Sequence, residues 1–184
     1  MDLFEKQLSS KQVFDGVVVK LFVDEVELPD GKKSIREIVR HPGAVCVIPV
    51  TENGEVIMVR QFRYAFNQVL LEVPAGKLEP NEDPLSAALR ELEEESGVVA
   101  QNVEYLGEIY TTVAIFDERI HVYLATGLTY KNAHPDEGEF LDVDKIPLST
   151  LVDMVMNGEI KDSKTQIAIL KAQRILEERS KNNS

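Results

Sequence analysis

The stretch Gly76–Val98, GKLEPNEDPLSAALRELEEESGV, decides how this chain is read. Pro84 suits the first position of a helix, Asp83 suits its N-cap, and Gly97 marks its stop. Between them Leu85, Ala87, Ala88, Leu89 and Leu92 are predicted to form a buried stripe. Glu91, Glu94 and Glu95 stand at i, i+3 and i+4, so their carboxylates fall on one face of that helix. Like charges at this spacing repel one another, and divalent cations on that face would relieve the repulsion. Hard oxygen donors at such density suit Mg²⁺ or Mn²⁺, ions that keep waters and bridge to phosphates. Glu93 points elsewhere and reads as a solvated charge; Glu82 and Arg90 read as supports for the loop and helix. A glutamate-rich helix is most often a solvated acidic face. Against that stands the fixed order of the whole stretch: Gly76, five residues, Glu82, seven residues, Arg90-Glu91-Leu92, one residue, Glu94-Glu95, one residue, Gly97-Val98.

Working outward, residues 12–28 are rich in Val and Phe and read as strands. Pro29-Asp30-Gly31 reads as a turn, and Ser34–His41 resumes an extended pattern. Gly43–Val50 is a continuous apolar run, as a buried core strand would be, and Glu52-Asn53-Gly54 turns it into a second strand through Tyr64. Val69–Pro74 reads as another strand, with Pro74-Ala75-Gly76 opening the loop before the acidic helix. Beyond that helix, strands are expected at 103–112, 118–128 and 140–147, with a polar loop before the last of them. A helix is predicted over 148–157, ended by Gly158. A final helix is predicted over 163–179, with Ile167, Ile169, Leu170, Ala172 and Ile175 on or near one face and a frayed tail after it. Mixed strands flanked by helices imply an α/β fold, an α/β/α sandwich with a mixed sheet. Residues 1–41 would form a small N-terminal antiparallel β extension, and residues 42–184 the main domain.

A chain of 184 residues, 43% apolar, can bury a sizeable core. It has no apolar run long enough for a transmembrane helix, and its first residues lack a signal-peptide pattern, so a cytoplasmic location is expected. The single Cys46 lies in an apolar run and reads as a buried strand residue. His41, His121 and His134 are scattered, without zinc-ligand spacing. A net charge of −12 argues against a nucleic-acid polymer as partner and for a small anionic ligand handled by metal ions and a few placed arginines.

The order of Gly76–Val98 resembles the Nudix box, the signature of hydrolases acting on a nucleoside diphosphate linked to another moiety. Beyond the box, the chain looks like the ADP-ribose pyrophosphatase branch of that family. The features that suggest it are the strand-rich residues 1–41, the segment Val59–Tyr64 (VRQFRY) and the segment Leu71–Glu79 (LEVPAGKLE). The resemblance implies a Nudix-type α/β/α sandwich and a homodimer joined through the N-terminal extension. It also implies Mg²⁺-dependent hydrolysis of a nucleoside diphosphate sugar, ADP-ribose giving AMP and ribose 5-phosphate. GDP-mannose or another nucleotide sugar is the alternative substrate. A non-catalytic sensor of such molecules is the alternative of another class, although such domains would be expected to lose box carboxylates, and all are present here. One departure is visible: the segment Thr112–Glu118 keeps the branch's Asp-Glu pair but lacks the Pro and Gly of the turn before it.

By the same resemblance Glu91 and Glu95 would be the primary metal ligands. Glu94 would assist directly or through water, and the Ala75 carbonyl would be a further ligand. A general base is expected from the loop His134–Phe140, with Glu139 first and Glu137 second. Arg63 is the candidate for phosphate contact, since a guanidinium recognises oxygen pairs. Arg36 is a further candidate from the N-terminal segment. Phe62 and Tyr64, with Phe22, are candidates to stack on a base, although strand aromatics are more often core.

Overall fold

The computed structural model describes residues 2–136 and 138–182, and their packing divides the chain into two units. The smaller runs up to Gly43 and takes in Tyr110–Arg119; the larger holds Ala44–Ile109 and the chain from Ile120 onward.

In the smaller unit, β1 (Lys6–Asp15), β2 (Lys20–Glu27) and β3 (Lys33–Arg40) form the expected antiparallel sheet in the order β1-β2-β3. The predicted turn closes the second hairpin, with Gly31 at φ 83° donating its N–H to the Leu28 carbonyl. Every residue of β1 is exposed, and its pairing with β2 slips at two bulges. Asp24 of β2 is buried and is held by Gln7, Ser10 and Arg40.

The larger unit is built around β4 (Ala44–Pro49), buried along its whole length as its unbroken apolar run requires. Then come β5 (Glu55–Arg63), β6 (Gln68–Glu72), β7 (Ala75–Lys77), α1 (Pro84–Ser96), β8 (Val98–Tyr110), β9 (Arg119–Tyr130), β10 (Leu141–Pro147), α2 (Leu148–Met156) and α3 (Ser163–Asn182). One sheet has the order β7-β4-β9-β8, with β4 antiparallel to β7 and parallel to β9, so it is mixed. A second sheet, β10-β5-β6, is antiparallel.

Strand alternation sends successive side chains of β4 to opposite faces. Ala44, Cys46 and Ile48 join Leu148, Leu151, Ala168, Ile169 and Ala172 of α2 and α3 in one core. Val45 and Val47 join Ala87, Ala88 and Leu92 of α1 in the other. Helices on both faces of β4 make the α/β/α sandwich, and each fully buried aliphatic side chain contributes about 1.5–3 kcal/mol. Among the described residues no helix is long and apolar enough to cross a membrane.

Four local expectations are corrected. Ala75–Lys77 is a short strand rather than the opening of a loop, because Ala75, Gly76 and Lys77 pair with Cys46, Val45 and Ala44. Leu85 and Leu89 are exposed; the stripe that α1 buries is Ala87, Ala88, Leu92 and Glu95, narrower than its leucines suggest. In α3 the buried stripe is Thr165, Ala168, Ile169 and Ala172, while Leu170 is exposed. That helix also continues past residue 179 to Asn182, where Arg179 and Lys181 complement the negative end of its dipole.

Candidate active site

The acidic helix is terminated as its sequence dictates. The Asp83 carboxylate accepts the Ser86 N–H at 3.1 Å, Pro84 opens the first turn, and Gly97 closes the last with φ 67°. A Cβ on Gly97 would also lie 2.5 Å from the Lys131 carbonyl oxygen, so the position needs glycine twice over.

Arg90 organises the box. Its Nε and Nη2 donate to the two oxygens of Glu82, each at 2.9 Å. Its Nη1 donates to Glu91 at 2.8 Å and to Glu94 at 2.9 Å. Glu82 in turn accepts the Glu79 N–H, and with Arg90 beside it its carboxyl is held down to about 2. The supporting role expected of this pair is the role they have. Glu93 faces away from Glu91 and Glu94, as expected, but it is paired with Lys131 at 2.8 Å.

Glu95 is the buried carboxylate of the helix, and Glu91 is half-buried. Glu91 lies against Gly76, where a Cβ would meet its carboxylate at 1.9 Å. Burial raises its pKa, the bonds from Arg90 lower it, and the charges of Glu94 and Glu139 raise it again. Glu95 is 5% exposed and accepts the Ala75 N–H at 2.9 Å. Burial first, then the charges of Glu91 and Glu139, push it up to about 8 in spite of that bond. The charge of Glu139, an exposed loop residue, is thus felt by both box carboxylates. Its loop is pinned to α1 by the Lys131 N–H on the Gly97 carbonyl at 2.7 Å and the His134 N–H on the Glu94 carbonyl at 3.0 Å. Glu137 lies outside the described residues.

Among the described residues no three Asp, Glu, His or Cys side chains converge on a single point. Glu91 and Glu94 face Arg90, and Glu95 faces the Ala75 amide. The donors nonetheless fit a hard divalent cation. They are carboxylates, and two of them have pKa values raised by burial and by neighbouring carboxylates, which a nearby positive charge would reverse. Gly76 leaves the Glu91 carboxylate room against the backbone. Glu91, Glu95 and Glu94 could hold such an ion if Arg90 released part of its grip.

Arg63 and Glu72 form a bidentate pair, with Nε at 2.6 Å and Nη2 at 2.7 Å from the carboxylate, which leaves Nη1 outside the pair. Glu72 is only 2% exposed while Arg63 keeps 39% of its side chain open, so the pair is buried on its carboxylate side alone. Neither the Glu72 partner Lys164 nor Asp162, which pairs with Lys164, is singled out by the sequence; the one available signal is an acidic residue inside the apolar run Val69–Pro74. Phe62 and Tyr64 are exposed, not core, and Val69 and Phe66 beside them are exposed as well. Cys46 is buried, and burial pushes its thiol up to about 12. Arg36 belongs to the smaller unit, where it pairs with Glu5 at 2.6 Å and reaches Ser34, and Phe22 of that unit lies under Arg40. The departing segment also belongs to that unit. Thr112 accepts the amides of Ile115 and Phe116, Phe116 bridges to Val39, and Asp117 accepts the His41 N–H at 2.8 Å.

Residues 39–165 match the model of the NUDIX domain, and residues 5–39 match the nucleoside diphosphate sugar hydrolase N-terminal domain. The chain is 47% identical over 167 residues to the methanol dehydrogenase activator of Bacillus methanolicus, covering 90% of each. It is 45% identical over 169 residues to the ADP-ribose pyrophosphatase of Bacillus subtilis (strain 168), covering 91% of each. A crystal structure of an ADP compounds hydrolase superposes with a TM-score of 0.87 at 21% identity, covering 97% of this chain and 98% of that one, a likeness of fold. With the box running from Gly76 of β7 through α1 to Val98 of β8 and both family models matched along the chain, the protein belongs to the Nudix family of hydrolases, and its N-terminal segment is of the nucleoside diphosphate sugar hydrolase type.

Proposed function

We propose that the protein hydrolyses the pyrophosphate bond of ADP-ribose to AMP and ribose 5-phosphate with Mg²⁺ as cofactor. The observation that carries the chemistry is the packing of Glu91 against Gly76 and of Glu95 on the Ala75 amide. The likeness to an ADP-ribose pyrophosphatase supports the choice of substrate.

Glu91 and Glu95, with Glu94 and the Ala75 carbonyl, would hold the cation. A bound divalent cation supplies charge neutralisation and Lewis acidity at the pyrophosphate. Arg63 receives a phosphate oxygen on the free edge of its guanidinium. Phe62 and Tyr64 offer exposed ring faces to the base. Glu139 accepts the proton of the attacking water at its carboxylate, a step worth about 10²–10⁴-fold in rate. The exposed β1 and the apolar residues Leu8, Val13 and Phe14 support pairing of two copies through the N-terminal sheet.

The test is phosphatase-coupled product release with Mg²⁺ over ADP-ribose, GDP-mannose, ADP-glucose, NADH and diadenosine polyphosphates. Selective turnover of ADP-ribose, lost in Glu95→Gln and sharply slowed in Glu139→Gln, is expected. Preference for another member moves the substrate and keeps the chemistry. Tight binding without turnover of any would replace the hydrolase by a sensor.

A further inference from the structure

A second charged cluster is buried in the larger unit, and no box residue belongs to it. Glu72 of β6 accepts Nε and Nη2 of Arg63 from β5 and also the ammonium of Lys164 from the first turn of α3. Lys164 reaches Asp162 as well, at 3.0 Å. Asp162 accepts both the N–H and the hydroxyl of Thr165, at 3.0 and 2.6 Å. The Thr165 hydroxyl oxygen in turn accepts the N–H of Val73, between β6 and β7. Two cations thus face two carboxylates in one connected set.

Stability alone does not account for such a set. Replacing a buried ion network by apolar side chains of similar volume is often neutral or stabilising, so its retention calls for another use. Neutralising Glu72 does not account for it either, since Arg63 does that. What Lys164 adds is orientation. It is itself mostly buried, and it takes the Glu72 oxygen that Nη2 of Arg63 also uses. The carboxylate is therefore held from two sides. Arg63, 39% exposed, is left with its Nε–Nη2 edge locked inward and Nη1 outside the pair.

We propose that Lys164 is a positioning residue for substrate binding: its ammonium fixes the Glu72 carboxylate, and Glu72 holds the Arg63 guanidinium at the angle that presents Nη1 to the phosphates. This rests on the reading of Arg63 as the phosphate contact. Without the ammonium, Glu72 is free to turn with Arg63, and Asp162 loses its only basic partner in the cluster.

The test is steady-state kinetics on the substrate that the panel above identifies, with thermal unfolding and Mg²⁺ activation curves for each variant. Lys164→Met is expected to raise KM about tenfold, with little change in kcat and none in the Mg²⁺ midpoint at saturating substrate. Lys164→Arg restores most of the loss. In an Arg63→Ala background Lys164→Met adds less than about twofold, because it acts through Arg63. Effects that multiply in full across that background, or a lowered Tm with KM unchanged, overturn the inference and leave the Arg63 reading standing. Arg63→Ala with unchanged KM overturns both. Lys164→Gln, which keeps a polar group between the carboxylates, is held to the same expectations and stands in if Lys164→Met does not fold.

Discussion

Gly76→Ala separates what the box glycine does for the site from what it does for the fold. Gly76 lies outside the positive-φ glycines, so its backbone accepts an L-residue and only the added methyl matters. That carbon would lie 1.9 Å from Oε1 and 2.4 Å from Oε2 of Glu91. Ordinary contact begins near about 3.5 Å, so the carboxylate must move by more than about 1 Å. Glu91 is the end of a flexible side chain and can swing away. Its swing breaks the 2.8 Å bond from Arg90 Nη1. A hydrogen bond between charged groups contributes about 1.5–3 kcal/mol, which bounds the loss of stability. The loss of function is larger, since misplacing a reacting or ligating group by about 1 Å costs on the order of 10²-fold. Gly76→Ala should therefore fold, melt several degrees lower, turn over about a hundredfold more slowly and need more Mg²⁺ for half-activation, with Glu91→Gln showing the same metal shift. Thermal unfolding and a Mg²⁺ titration of initial rates measure this. Wild-type turnover at the wild-type Mg²⁺ midpoint would refute the contact between Gly76 and Glu91 as a determinant of the site.

Arg90→Met removes the shared partner of Glu82, Glu91 and Glu94 and should cost about 3 kcal/mol in chemical unfolding, whereas a loss under 1 kcal/mol would show that the three carboxylates repel little. Glu95 has its pKa raised from an ordinary 4.5 to about 8, so the folded state binds this proton more tightly than the unfolded. Without a cation, stability should therefore fall as pH rises from 4.5 to about 8 and stay level on either side. Scanning fluorimetry should show this slope vanishing in Glu95→Gln and the Mg²⁺-induced rise in Tm growing from pH 6 to 8.5; equal slopes in both proteins would remove burial of Glu95 as the cause. Gly97→Ala forces a left-handed residue, worth about 1–2 kcal/mol, and drives a methyl into the Lys131 carbonyl. It should lower both Tm and kcat by shifting the loop that carries Glu139, and an unchanged kcat would detach that loop from the helix end.

What was legible in the sequence was local or periodic. The ends of α1 follow from Asp83, Pro84 and Gly97 because capping and left-handed closure involve neighbours in the chain. The burial of β4 follows from an apolar run that both faces need. The stripe of α1 was read too wide because Leu85 and Leu89 look like core, and only the packed partners show that the two alanines fill that face. β7 is three residues long and carries no strand signal; it exists because Ala75–Lys77 finds β4. The Glu72 cluster was out of reach for the same reason, since Lys164 is 92 residues from Glu72 along the chain. Nor does anything in Tyr110–Arg119 announce that it packs with the N-terminal sheet, where the Val39–Phe116 bridge pairs distant backbones.

The electrostatics of the larger unit bear on the proposed use of a divalent cation. An anionic substrate approaching a chain of net charge −12 must find positive charge that is not already spent. Arg90 is committed to three carboxylates, and Lys164 is held between two. Arg63 is neutralised by Glu72 and keeps only the free edge of its guanidinium. The box helix meanwhile carries Glu95, buried, and Glu91, half-buried, whose pKa values are raised first by desolvation and then by neighbouring carboxylates. On the proposed function, an Arg63 already paired with Glu72 would orient a phosphate more than neutralise it. On that reading divalent ions would bring the remaining positive charge, and the affinities for metal and for pyrophosphate should be coupled, each ligand binding more tightly in the presence of the other.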